Sequence, residues 1–386
     1  MSRPRRLLTV GHSYAVALNR RLADELHRTP ALPGEPPWEV TVAAPRFVRG
    51  DLRPIALEPP LDGAAPTVGV SVYGSRSPHT LSYGRATRGL IRCTAWDFVH
   101  LWQEPYTWAG HQLGRWAGTM PHAHYTFQNL AKTYPAPVAW LERAAVTRSR
   151  GWVACGVTTA ETLRHRPPYD RKPHAVIPPG VDMAAFAPDP AARAAVYARL
   201  GWSSVGPPVV GLLGRFVAEK GLRLLMSAAD TLNTDWRMLL VGGGPMEAEL
   251  RLWGARHGDR VRVVTGVPHA GVPAYVNAFD LLAAPSLTTP RWREQLGRML
   301  LEAFAVGVPV VGSDSGEIPH VLADAGVVVP EGDVFAWTAA LGELLDSPAR
   351  RRELGALGRE RCAAAFAWPV VARQTLSFFN RLLAEV

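Results

Sequence analysis

The sequence predicts an α/β protein built from two doubly wound parallel-sheet domains, and three observations carry that expectation. Short apolar runs alternate with helix-length stretches along the chain, the pattern that strand–helix–strand crossovers produce. At 386 residues the chain is long enough for two cores, and its 47% hydrophobic and 19% charged content is that of an ordinary folded protein. Near the middle, HAVIPPGVDMAAFAPDP (His174 to Pro190) ends a strand in proline and glycine punctuation. That stretch sets a boundary close to Asp189, giving domains 1–189 and 190–367 and a last helix over about 368–386.

Residues 6–10 read as the first strand, and Ala15 to His27 as a helix with Ser13 in position to cap it. Trp38 to Ala43 follows as a strand, and the Pro- and Gly-rich stretch Pro45 to Pro66 as a long surface loop. Strand patterns recur at Thr67 to Tyr73, Asp97 to Leu101, His124 to Phe127 and Gly151 to Cys155. From the apolar run Val209 to Leu213 the alternation starts again and continues to about Arg361. The opening MSRPRRLLTVGHS sets basic residues before an apolar stretch, but Leu7 to Val10 is too short for the core of a secretory signal. No apolar run approaches the roughly 18 residues of a membrane span. Cys93, Cys155 and Cys362 lie far apart with no metal-like spacing and read as thiols in a reducing compartment. The expectation is a cytoplasmic protein, peripheral at most at the inner face of the cell membrane.

The chemistry concentrates in the second half. In PRWREQLGRMLLEAFAVGVPVVGSDSGEIP (Pro290 to Pro319), Glu294 and Glu302 flank Gly297, and a loop-to-helix turn there sets the Gly297 amides at a helix N-terminus with both carboxylates near one pocket. Amides suit a diphosphate, and carboxylates accept hydrogen bonds from ribose and sugar hydroxyls. Upstream, VVGLLGRFVAEKG delivers Arg215 and Lys220 just past a strand end, where open α/β sheets bind ligands. LLVGGGP, with Gly242, Gly243 and Gly244, allows close backbone approach of a nucleotide.

The segment from Pro290 resembles the Glu-x7-Glu signature of the retaining family-4 (group 1) glycosyltransferases, including the EQ-hydrophobic-GR start and the G-V-P-V-V-G-S-D-S-G-E-I-P run. VIPPGVD followed by FAP resembles that family's inter-domain connection. The resemblance implies the GT-B fold, two Rossmann-like doubly wound domains facing across a cleft, with the final helix crossing back onto the first. It implies that Arg215 and Lys220 hold the donor diphosphate, that Glu294 contacts the donor sugar and that Glu302 contacts the ribose, with Gly243 and Gly297 close to the nucleotide. No cofactor beyond a UDP- or GDP-sugar donor is expected. No Asp-x-Asp pair occurs to hold a divalent ion, so no metal site is expected either.

The N-terminal half departs from the family pattern. In DFVHLWQEPYTWAG, His100 and Glu104–Pro105 fit the family's histidine-containing run, but Trp102 and Gln103 replace what precedes the glutamate. Glu104 is expected at the site, and His100 either near the anomeric carbon or in the core. Gln128 and Asn129 are candidates for the acceptor side or for capping the next helix. The Gly11-His12-Ser13 loop lacks the common double glycine, and Gly11 offers backbone contact to diphosphate or acceptor. Trp102, Trp108 and Trp116 supply flat apolar surface for a sugar or lipid, or fill the core.

Formal net charge is +9, and residues 1–190 carry 22 Lys and Arg against 14 Asp and Glu. The positive field therefore belongs to the first half, where it fits an anionic membrane or a phosphate-bearing lipid acceptor. A compositional bias toward arginine with no partner is the alternative. No basic-aromatic recognition module points to nucleic acid. The expected activity is transfer of a sugar to a hydroxyl acceptor in cell-envelope polysaccharide or glycolipid synthesis. The rivals are a transferase acting on a small natural product and a nucleotide-sugar epimerase.

Overall fold

A computed structural model describes residues 3–49 and 54–385. The chain divides into two compact units, Met1–Pro179 with Trp368–Val386, and Gly180–Ala367. The division precedes the expected boundary at Asp189 because the intervening residues pack into the second unit. The Val181 amide donates to Phe366 O at 2.9 Å, Phe186 is buried in that unit's core, and the Asp189 amide donates to Asn277 Oδ1 at 2.6 Å.

The first unit holds a seven-stranded parallel sheet: β1 (Arg5–Gly11), β2 (Trp38–Pro45), β3 (Thr67–Val70), β4 (Phe98–Trp102), β5 (His122–Thr126), β6 (Gly151–Ala154) and β7 (His174–Val176), in the spatial order 7-6-5-4-1-2-3. Strand order reverses between β1 and β4. One face packs Leu8, Val10, Val99 and Leu101 under α2 (Arg85–Cys93) and α3 (Trp108–Ala117), and Trp152 and Ala154 against Val146 of α4 (Ala136–Arg148). The opposite face packs Leu7, Phe98, Tyr125 and Val153 under α1 (Arg21–Arg28) and the C-terminal helix Trp368–Ala384, whose Phe379 stacks on Phe98 at 4.4 Å. Asn380 Oδ1 of that helix accepts from Arg5 Nη1 at 2.5 Å and Trp38 Nε1 at 3.1 Å.

The expected helix from Ala15 is instead two 3-10 turns, His12–Ala15 and Ala17–Arg20, before α1 begins, and Ser13 caps nothing. The reason is the buried Arg20 guanidinium, which donates to the carbonyls of Tyr14 and Ala15 that a continuous helix would need for its own amides. The stretch expected as a loop over Pro45 to Pro66 carries an antiparallel ribbon, Phe47–Val48 with Ile55–Ala56, while residues 50–53 lie outside the described residues. The end of the expected Thr67 to Tyr73 strand leaves the sheet, so that Val72–Tyr73 pairs with Ser82–Tyr83.

The second unit holds six parallel strands: β8 (Val209–Arg215), β9 (Arg237–Gly243), β10 (Val261–Thr265), β11 (Leu281–Ala284), β12 (Val310–Ser313) and β13 (Val327–Val329). Their order is 10-9-8-11-12-13, again reversing beside the unit's first strand, between β8 and β11. Both faces are covered by helices, as near-continuous apolar strands require. Among the described residues no helix is long and apolar enough to cross a membrane.

Because Phe379 is fully buried between Phe98 and His100, Phe379→Ala is expected to lower unfolding free energy by about 3–5 kcal/mol in urea titration. An unchanged midpoint would show that the C-terminal helix contributes nothing to the first unit's core.

Candidate active site

In open α/β sheets, ligands bind beyond the carboxyl ends of the strands where their order reverses. In the second unit that point lies between the ends of β8 and β11. After Arg215 the chain turns through a short 3-10 segment, Ala218–Lys220, into α5 (Leu222–Asp230). Gly221 joins the two with φ +68°, and a Cβ on it would stand 1.7 Å from Pro285 O. Only glycine lets this turn lie against the loop after β11. The Leu287 amide fastens the same approach by donating to Glu219 O at 2.8 Å.

That approach brings Lys220 to Glu294. Its ammonium donates to Glu294 Oε2, which also accepts from Ser286 Oγ at 2.9 Å, and Lys220 Nζ lies 5.2 Å from the centre of the Trp292 ring. Glu294 is 6% exposed. Its backbone is held as firmly: the Glu317 amide donates to Glu294 O at 3.1 Å, and a Cβ on Gly316 (φ +57°) would stand 2.0 Å from the same oxygen. Lys220 is one of only three lysines among 42 basic residues. An ammonium is a compact point charge with three donors, of which Glu294 uses one.

Arg215 is half-exposed, and the nearest carboxylate, Glu219, is 4.0 Å away. Gly243 lies beside it in register at the end of β9, and nothing stands within 4 Å of where its Cβ would be, so backbone there is open to a ligand. Gly297 (φ +77°) is the N-cap of α6 (Arg298–Val306). Glu294 precedes this helix and Glu302 lies in its second turn, so the two do not sit two turns apart on one helix, because the left-handed Gly297 starts the helix between them. Glu302 is 7% exposed, and burial raises its pKa while Arg298 pulls it down.

In the first unit the reversal sets Gly11, at the end of β1, in register with Trp102 at the end of β4. Just beyond, His12 Nδ1 lies 2.9 Å from Gln103 Oε1, and Glu104 accepts from Thr126 Oγ1 and from the Phe127 amide, both at 2.7 Å. Burial pushes the Glu104 carboxyl up to about 7 against the pull of those two hydrogen bonds, so it titrates near neutrality. Gln128 is tied into a buried network, donating to Glu142 Oε1 at 3.3 Å and accepting from Arg166 Nη1 at 2.7 Å, with Tyr169 OH on the same carboxylate at 2.9 Å. Asn129 is buried beside it in sequence, 3% exposed.

His100 is a core histidine. It points to the face under the C-terminal helix, fully buried, 3.2 Å from Thr9 Oγ1 and 5.3 Å from the Phe379 ring, and burial lowers its pKa to about 3. Buried there, it cannot approach an anomeric carbon, contrary to one of the two expectations for it. Trp102 stacks on Tyr125 at 3.9 Å, Trp116 packs against the α2–α3 core, and Trp108 is exposed. Ser286, Trp292, Gly221 and Gly316 position Lys220 and Glu294, and the sequence reading assigned none of them a site role. Among the described residues no group of three or more His, Cys, Asp or Glu side chains is placed to hold a metal ion.

The second unit thus carries a cation–carboxylate pair at the strand-order reversal of a doubly wound sheet, and comparison with known proteins gives the family. Residues 19–185 match the model of Glycosyltransferase Family 4, and residues 207–347 that of Glycosyl transferases group 1. The chain is 35% identical over 268 residues to a GDP-mannose-dependent alpha-(1-6)-phosphatidylinositol monomannoside mannosyltransferase of Mycolicibacterium smegmatis, covering 67% of this chain and 65% of that one, somewhat less than two thirds of its length. It is 32% identical over 340 residues to a D-inositol 3-phosphate glycosyltransferase of Salinispora tropica, covering 78% and 68%. Among solved structures, sucrose-phosphate synthase from Thermosynechococcus elongatus aligns with a TM-score of 0.75 at 21% identity over 99% of this chain and 100% of that one, which shows the fold. The chain belongs to glycosyltransferase family 4, group 1, and its architecture is the two-domain α/β GT-B fold.

Two outcomes are expected. Gly316→Ala is expected to displace the Glu294 loop and weaken nucleotide binding at least tenfold in calorimetry, whereas Gly332→Ala, at φ +75° with open space around it, is expected to leave binding intact. Glu104, raised from 4.5 to about 7 in the folded chain, binds a proton there that the unfolded chain has lost, so its contribution to stability falls as pH rises through that interval. Glu104→Gln is therefore expected to gain melting temperature relative to wild type as pH goes from 5 to 8. A difference that stays flat would mean that Glu104 titrates normally.

Proposed function

We propose that the chain is a retaining, metal-independent hexosyltransferase that moves a sugar from a nucleoside-diphosphate sugar to a hydroxyl of a phosphate-bearing acceptor in glycolipid synthesis. The observation that carries the reading is the Lys220–Glu294 pair at the β8–β11 reversal, with Arg215 on the same strand edge. Lys220 and Arg215 meet the diphosphate, Glu294 a sugar hydroxyl, Glu302 the ribose, and amides after Gly297 the phosphate oxygens. In the first unit, Glu104 and the Gly11 backbone serve the acceptor side. The M. smegmatis relative is named for GDP-mannose and a phosphatidylinositol mannoside and the S. tropica relative for an inositol phosphate, which favours a GDP-sugar over a UDP-sugar and an acceptor that carries phosphate.

In the reaction the bond from the anomeric carbon to the diphosphate breaks, the acceptor oxygen bonds to that carbon on the same face, and the acceptor proton passes to the departing diphosphate oxygen. Cations fixed in advance stabilise the charge that develops on the leaving group, which is where such sites gain most of their rate. A carboxylate on Lys220 keeps that ammonium in place before the donor arrives.

The test is turnover of GDP-mannose with an inositol phosphate acceptor in the presence of a chelator, with the product's anomeric configuration read by NMR. An α-linked product, formed undiminished under chelation, is expected, and Lys220→Ala is expected to lower kcat/KM by about 10²–10³-fold. A β-linked product would contradict retention, and loss of turnover on chelation would contradict metal independence.

A further inference from the structure

The outer surface of α2, α3 and α4 combines exposed arginines with exposed tryptophans. These helices pack side by side on one face of the first unit's sheet. Arg85, Arg88 and Arg92 share the exposed face of α2 at helical spacing, Arg115 is exposed on α3, and Arg143 and Arg148 are exposed on α4. Among the described residues none of the six has a carboxylate partner. The segments RATRGLIRC and WAGHQLGRWA contain no acid, and the single acid of α4, Glu142, is buried and paired with Arg166.

Two tryptophans stand in this field. Trp108 is 46% and Trp140 58% exposed, and they are the only exposed ones of the chain's thirteen. They are neighbours in space: the His111 ring lies between them, 6.0 Å from Trp108 and 5.0 Å from Trp140, which joins α3 to α4. Exposed indoles beside unpaired arginines, without acids, match the interface of an anionic bilayer, where tryptophan settles at headgroup depth and arginine meets lipid phosphate.

We propose that the α2–α3–α4 surface docks on an anionic lipid bilayer, with the arginines on headgroup phosphates and Trp108 and Trp140 entering the interface. A nucleic acid offers the same phosphates, but each indole already lies against His111, which leaves apolar area for a lipid boundary better than open ring faces for stacking bases. The proposal deepens the glycolipid reading and rests on it for its biological sense. Vesicle binding is read without donor, acceptor or turnover, so the two readings fail separately.

The experiment is co-sedimentation of the full chain with vesicles of equimolar phosphatidylcholine and phosphatidylglycerol, and with phosphatidylcholine alone, using brominated lipid to quench tryptophan. Wild type is expected to bind the anionic vesicles alone and to be quenched. Each arginine near such a surface is worth roughly a fivefold change in affinity, so the double variant Arg88→Ser, Arg143→Ser is expected to bind about 25-fold more weakly. Trp108→Ser with Trp140→Ser is expected to weaken binding and abolish the quench. All these positions are exposed and lie in the first unit, apart from Arg215, Lys220, Glu294 and Glu302, so unchanged thermal transitions and nucleotide binding certify the variants' fold. Failure of wild type to bind anionic vesicles would overturn the proposal. So would full binding by both double variants, or displacement from vesicles by RNA held more tightly.

Discussion

A buried ion pair between Lys220 and Glu294 is the constraint on which the second unit's site depends. Taking both charges out of water costs more than their attraction returns unless other groups complete the hydrogen bonding, so such a pair is weak evidence for stability. Here the completing groups are the Ser286 hydroxyl on the carboxylate, the Trp292 face beside the ammonium, and two glycines, Gly221 and Gly316, that let backbone approach where any side chain would collide. This support spans four separate chain segments. An arrangement that assembles so much around one lysine in an arginine-rich chain is organised for charge placement, and the proposed sugar-diphosphate site rests on it.

Both units use the same topological device. Each parallel sheet reverses strand order beside its first strand and presents its polar groups at the carboxyl edge of that reversal. The edges differ in chemistry. In the second unit the edge carries two cations, Lys220 held by Glu294 and Arg215 half-exposed beside it. In the first it carries Glu104, a carboxyl that burial raises to about 7 against the pull of hydrogen bonds from a backbone amide and a threonine hydroxyl, with the Gln128–Glu142–Arg166 network buried alongside. The cationic edge suits a phosphate leaving group, and the Glu104 edge suits a hydroxyl.

Sequence made the local parts of this legible. Arg215, Lys220 and Gly243 follow apolar runs directly, so a strand end and its loop could be read from a few consecutive residues. The supports of Glu294 could not, because Gly316 and Ser286 act through space and through backbone, leaving only a glycine and a serine in otherwise ordinary turns. His100 was ambiguous for a related reason. It sits on a strand whose second face is covered by a helix from the far end of the chain, and that burial is invisible in the local alternation of DFVHLW. Arg20 similarly reads as a surface residue of a helix, yet its guanidinium is buried on backbone carbonyls and reshapes the helix start. The exposure of Trp108 and Trp140 was hidden because tryptophan is buried by default.

The most direct test of the central claim is calorimetric titration of GDP, UDP and ADP without added metal on wild type, Lys220→Ala and the charge-neutral pair Lys220→Met, Glu294→Gln. Lys220→Ala strands a buried carboxylate and loses about 3–5 kcal/mol of stability, whereas the neutral pair avoids that penalty and isolates the role of the ammonium. Micromolar binding of one nucleotide by wild type, absent from a folded neutral pair, is the predicted result. Equal affinity in wild type and the neutral pair, or no nucleotide bound by folded wild type, would contradict the account and leave Lys220–Glu294 as a structural ion pair.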